Sequence, residues 1–169
     1  VMVVAAMNPC PCGYFGHPTR RCSCAPGQVS RYLSRVSGPL LDRMDLHIDV
    51  MPVEFESLSS AQKAESSAQI KKRVERARQT QKERFAGTGV WCNAKIPASL
   101  LAEACPMEDS AVSLLKDAFE KLGLSARAYD RIVKVARTIA DLDESQVIRK
   151  GHIAEAVQYR SLDRKYWSR

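Results

Sequence analysis

The chain has 169 residues, enough for one domain or two small ones. Its 45% hydrophobic content supports a core, and 26 basic against 19 acidic residues give a net charge of +7. That balance suits a polyanionic partner or simply a soluble basic surface, and no apolar stretch reaches the roughly 20 residues that a helical membrane span needs.

The chain opens on VMVVAAMNPCPCG, an apolar run that enters directly, without a polar lead-in. This start is expected of the C-terminal piece of a larger protein. Residues 1–7 read as a strand buried on both faces, stopped by Asn8-Pro9. Residues 11–27, rich in Cys, Pro and Gly, form a loop or small metal knuckle. A short helix is expected over 28–35, a break at Ser37-Gly38-Pro39, and a further helical turn over 40–44. Residues 45–50 (DLHIDV) alternate polar and apolar, the pattern of a second strand. From about Ser57 the chain reads as helical, with a dense basic stretch KKRVERARQTQKER inside 61–85. Gly87-Thr88-Gly89 ends that helix. A short helix follows over 98–104. Another runs from Pro106-Met107-Glu108-Asp109 to about Leu122, with Val112, Leu115 and Phe119 on one face. Gly123 is its expected stop and Ser125 the expected N-cap of a helix over 126–140, buried through Ile132, Val135, Ala136 and Ile139. Residues 150–159 supply the last helix. The expected architecture is an α/β remnant over 1–56 followed by an all-α domain over 57–169, mostly helical overall.

Six cysteines divide into a cluster of four, Cys10, Cys12, Cys22 and Cys24, and two apart, Cys92 and Cys105. Four thiolates complete a closed tetrahedral zinc site of structural type, with His17 as a possible substitute ligand. The alternatives are free thiols or disulfides, and disulfides are disfavoured in a reducing cytoplasm, where such a chain is expected. Asn8, at the tip of a strand, either opens a turn or orients a water or a phosphate at a sheet's carboxyl edge. Arg43, in LLDRMDL, either pairs with Asp42 or Asp45 or reaches a γ-phosphate across a subunit interface. Arg127 stands in the first turn of a helix, where a cation opposes the helix dipole; it is an exposed residue without consequence or the partner of a bound anion. The basic stretch carries Lys71, Lys72, Arg73 and Arg76, a solvated surface or a DNA contact.

Taken together, AAMNPCPCG, the second C-x-C pair, RYLSRVSGPLLDRMDLHIDV, LSARAYDRIVKVARTIADL and IAEAVQYRSLDR resemble the magnesium-chelatase-like AAA+ ATPases of bacteria, of the competence-related ComM/YifB type. The resemblance is weakest over 54–106. It implies the end of an AAA+ core followed by its helical lid. It gives Asn8 the sensor 1 position, Arg43 that of the arginine finger (Arg35 being the alternative) and Arg127 that of sensor 2. It implies ATP with Mg²⁺ as cofactor, a hexameric homo-oligomeric ring, and a motor acting on DNA in branch migration or unwinding. The alternatives are a chelatase subunit that remodels a protein partner and a zinc-stabilised interaction module. No G-x-x-x-x-G-K-[ST] loop is present. The chain alone is therefore expected to be inactive, whatever its parent does.

Overall fold

The computed structural model describes residues 2–53 and 64–160. They fall into two compact units, one on either side of 54–63. The expected domain boundary at 56/57, the helical start at 57–63 and the last residues of the IAEAVQYRSLDR motif lie outside the described residues.

Among the described residues the first unit holds two short helices, α1 (Pro26–Leu33) and α2 (Gly38–Arg43). Pro26 fits the first turn of α1, where no backbone N–H is needed. The Gln28 side chain accepts the Ala25 N–H at 3.0 Å. In α2, Ser37 is the N-cap, accepting from Leu40 N at 3.3 Å. The triplet Ser37-Gly38-Pro39, expected as a break, thus starts a helix: a capping hydroxyl followed by Pro in the first turn is a start signal.

The two expected strands are not formed, and the α/β remnant is not seen among the described residues. A strand's backbone groups are satisfied only by a neighbouring strand, and neither segment finds one. Their apolar side chains stand in solvent instead, Met2 88%, Val4 86% and Val50 85% exposed. The small core of this unit is Cys10, Val29 and Leu33, with Cys12, Cys22, Cys24 and Tyr32 packed around it. Val29 and Leu33, four apart, turn one stripe of α1 toward the cysteines.

The second unit is built of α3 (Ser67–Arg84), α4 (Leu101–Ala104), α5 (Asp109–Leu122), α6 (Ala126–Leu142) and α7 (Lys150–Gln158). Two 3₁₀ turns, Asn93–Lys95 and Ala98–Leu100, lie between α3 and α4. Helix α6 is the central element: α3 and α7 pack on it, and α7 also packs on α5. Its buried Ile132, Val133, Ala136 and Ala140 meet Ile148, Ile153, Leu115, Ile96 and Phe85 in one core. Val135 and Ile139 are only partly buried at its margin. The α5 face is also incomplete: Leu115 is buried, whereas Val112 and Phe119 are 49% and 37% exposed. Gly123 closes α5 in the left-handed region at φ 51°, and Leu124 N donates to Phe119 O at 3.1 Å. Ser125 then caps α6, accepting from Ala128 N at 3.1 Å. A parallel β-bridge, Met107 to Ile148, ties the start of α5 to the start of α7. No helix among the described residues is long and apolar enough to cross a membrane.

Candidate functional site

The four clustered cysteines converge in space. Their Sγ atoms all lie within 4.8 Å of one another. Cys10 and Cys12 are 3.3 Å apart, Cys12 and Cys22 3.5 Å, and Cys10 and Cys22 3.7 Å. Four sulfurs at about 2.3 Å from a tetrahedral ion are separated by about 3.8 Å, so the cluster has the size to hold such a metal. Phe15 N donates to Cys10 Sγ at 3.3 Å. The Tyr14 backbone holds the Cys12 thiol down at about 5. Cys22 behaves oppositely: although the Cys24 backbone lowers it, burial and the sulfurs of Cys12 and Cys10 push it up to about 12. Burial likewise raises Cys24. One thiolate thus forms easily and the next is resisted by the first. A dication bound by the four sulfurs would remove that resistance.

His17 does not join the sulfurs. Its Nδ1 accepts the Arg20 and Thr19 N–H groups at 3.0 and 3.2 Å, and its ring stands edge-on to Tyr14. It closes the loop between the two C-x-C pairs. Cys105 lies in the other unit's core, and burial pushes its thiol up to about 11. It is a packing residue, not a ligand.

Asn8 is exposed, at the bend that enters the cysteine loop. A Cβ at Gly13 would come within 4.0 Å of its side chain, and Gly13 has φ 82°, so the Asn8 amide borders a glycine turn. Arg43 ends α2, exposed, with its Nη1 donating to Pro39 O at 2.9 Å. Arg35 is exposed two residues beyond α1. Arg127 belongs to the second unit; it is the second residue of α6 and faces solvent. Asn8 and Arg43 therefore share one unit and Arg127 the other.

The basic residues of α3 are exposed, but three of the four named ones meet acids. Lys71 lies 3.6 Å from Glu75, Arg73 makes a two-pronged contact with Glu65, and Arg76 reaches Glu144. Exposed pairs of this kind are weak and yield readily to a competing anion.

One constellation escaped the sequence reading. Arg84, placed by sequence in the basic surface, points inward and grips Asp141 with both Nη atoms. Arg137 Nε also donates to Asp141, and its Nη atoms donate to the carbonyls of Gln146 and Ser145. Asn93 completes the group, with Nδ2 donating to Asp141 at 2.7 Å and Oδ1 accepting from Arg84 at 3.2 Å. Arg137 and Asp141 are fully buried. The signal lay in the register: 133, 136, 137, 140 and 141 make one stripe of α6, with a charged i, i+4 pair inside it. This network is structural, since every arm ends on a protein group.

Comparison with known proteins agrees with these two units. The family described as magnesium chelatase, subunit ChlI, matches residues 1–58, and its C-terminal companion matches residues 64–160. The competence protein ComM of Haemophilus influenzae is 43% identical over 163 residues, 96% of this chain and 31% of that protein. YifB of Escherichia coli K12, an uncharacterized protein, is 40% identical over the same shares. An uncharacterized protein of Mycobacterium tuberculosis H37Rv is 36% identical over 140 residues, 83% of this chain and 27% of its own length. The chain thus spans less than a third of these relatives. With both parts matched in order and the C-terminal model covering 64–160, the chain belongs to the magnesium chelatase ChlI family, among proteins of the ComM/YifB type.

Proposed function

We propose that the chain is the C-terminal part of a ring-forming AAA+ ATPase of the cytoplasm that acts on DNA, as a branch-migration or helicase-like motor in transformation or recombination. The observation that carries this reading is the 43% identity to a competence protein across 96% of the chain. The net charge of +7 supports a polyanionic partner. In the assembled parent, which would be a hexamer with ATP and Mg²⁺, Asn8 acts as sensor 1 and orients the attacking water. Arg43 is the finger that neutralises charge on a neighbour's γ-phosphate, a contribution of about 10³–10⁵ in rate in related phosphoryl transfer. Its exposure at a helix end is what such a reach requires. Arg127 is sensor 2: its place in the first turn of α6 adds a cation to backbone N–H groups that favour phosphate. The cysteine cluster holds Zn²⁺ as a structural ion, leaving no open position for catalysis. Lys71, Lys72, Arg73 and Arg76 offer a positive surface to DNA. The division between the core remnant and the helical domain falls near residue 57.

The test is ATP turnover by the intact parent, with and without branched DNA, beside its Arg43→Ala variant. Stimulation by DNA that the variant loses is expected. Turnover indifferent to DNA overturns the motor in favour of the second reading, a chelatase-type subunit that remodels a protein partner, for which the family description speaks. Turnover unaffected in Arg43→Ala removes the finger.

A further inference from the structure

Trp91 is 69% exposed, in the segment that joins α3 to the first 3₁₀ turn. An indole is seldom left so far in solvent, and tryptophan is enriched among the residues that anchor interfaces. Its segment is firmly held. Two residues on, Asn93 is buried, its N–H donating to Gln81 Oε1 at 3.1 Å and its amide donating to Thr138 and Asp141. Beside the ring stands a cation: Lys95 Nζ lies 5.9 Å from the Trp91 centroid. Lys95 makes no ion pair among the described residues.

The same unit carries an open groove of about 370 Å³ between α5 and α6. Met107, Val112, Phe119 and Tyr129 give it an apolar lining. Phe119 and Tyr129 meet edge to face, with ring centroids 6.3 Å apart. Two charges border it, Lys116 from α5 and Asp130 from α6, and neither has an ion-pair partner among the described residues. This lining suits an indole that brings a cation with it. Aromatic edges and a thioether pack well on a ring, an ammonium group can lie over its face, and a carboxylate answers the accompanying charge.

The chain itself presents that pair, Trp91 with Lys95, but not to its own groove. Asn93 fixes the Trp91 segment to α6 at Thr138 and Asp141, whereas the groove lies at Ala126 to Asp130. Asp130 and Thr138 are eight residues apart on α6 (138 minus 130), about 12 Å of helix. An exposed anchor and a matching pocket at different places on one molecule make a head-to-tail contact and not a two-fold one.

We propose that copies of this chain associate head to tail, with Trp91 of one protomer seated in the α5–α6 groove of its partner and Lys95 set against the partner's Asp130. The ring reading above requires only that copies meet; the surfaces that meet are assigned from this anchor and this groove.

The test is sedimentation velocity of the 169-residue chain over a concentration series up to about 1 mM, beside Trp91→Ala and Val112→Glu. Both positions are exposed, so neither change empties the core. The unmodified chain should associate beyond a dimer, and each variant should weaken association at least about tenfold. An equimolar mixture of the two variants should form a one-to-one dimer and stop there, because each keeps the surface that the other has lost. If either variant loses its helical circular dichroism, charge exchange decides instead: Lys95→Glu should weaken association, and adding Asp130→Lys should restore it. A chain that stays monomeric overturns the inference, since the groove is then left empty or filled within one chain. Association that survives in Trp91→Ala and Val112→Glu overturns it in favour of another surface, and so does a mixture, or a charge exchange, that restores nothing. The two readings fail separately. A parent ring indifferent to Trp91→Ala and Val112→Glu sinks only this contact, and rescue by mixing with a parent that never forms a ring sinks only the ring.

Discussion

Arg84 and Asp141, 57 residues apart in sequence, face each other through both guanidinium nitrogens and both carboxylate oxygens. The pair fastens the C-terminal end of α3 to that of α6. Asp141 is fully buried and Arg84 has 20% of its side chain exposed, so the two partners are not equivalent. Asp141 is also the only carboxylate that the buried Arg137 meets among the described residues. Removing it leaves a buried cation without its counter-charge. Asp141→Ala is expected to destabilise the helical unit by about 3–5 kcal/mol. Arg84→Ala should cost clearly less, because Arg137 and Asn93 still hold the carboxylate. Urea unfolding of both variants by far-UV circular dichroism checks the order, and equal losses would show the network is not organised around Asp141.

The sulfurs differ in reactivity before any metal binds. At neutral pH the metal-free chain should be alkylated first at Cys12, held down at about 5 by the Tyr14 backbone. Cys22, up at about 12, and the core thiol Cys105, up at about 11, should lag. The pH linkage follows from the same shifts. Cys12 is depressed from its ordinary 9.0, so its contribution to the metal-free unit is complete above pH 9 and lost as pH falls toward 5. Cys22 is raised, so its contribution is present below pH 9 and lost as pH rises toward 12. Timed iodoacetamide labelling read by mass spectrometry would show the order; uniform rates would contradict it.

Much of the helical unit was legible because its signals are local. The Gly123 stop and the Ser125 cap are chemical statements about single backbone groups, and the structure places both as read. The strands over 1–7 and 45–50 were not legible in the same way, because a strand is a property of two segments and neither has a partner among the described residues. The cysteine cluster could be read from spacing alone, since four sulfurs in so short a loop have few places to go. Arg84 was misjudged for the opposite reason: its seven-cation stretch looked uniformly solvated, and only the distant Asp141 and Asn93 turn it inward. His17, next to the right ligands, serves the loop backbone instead.

The turn between α5 and α6 makes two quantitative expectations. Gly123 holds φ 51°, a region costing a side-chain-bearing residue about 1 kcal/mol or more, and nothing lies within 4 Å of an added Cβ. Gly123→Ala should therefore lose stability through the backbone alone. Ser125→Ala removes the acceptor for Ala128 N and should cost about 1 kcal/mol, whereas Ser125→Asp should restore it. Thermal unfolding of the three variants separates the effects, and a neutral Ser125→Ala would show that the cap is not holding the start of α6.

Removal of the proposed metal should reach further than the loop itself. The core of the first unit consists of Cys10, Val29 and Leu33, so most of what α1 packs against is the sulfur cluster. An eight-residue helix is too short to persist on its own propensity and depends on that contact. Chelation, or Cys10→Ser, is therefore expected to release α1 as well as the loop. The helical unit has its own larger core and should be untouched. Hydrogen exchange resolved by residue checks this. Protection over 26–33 should collapse on chelation while that over 126–142 stays constant. Protection of α1 that survives chelation would show that Val29 and Leu33 are held by something other than the proposed metal cluster.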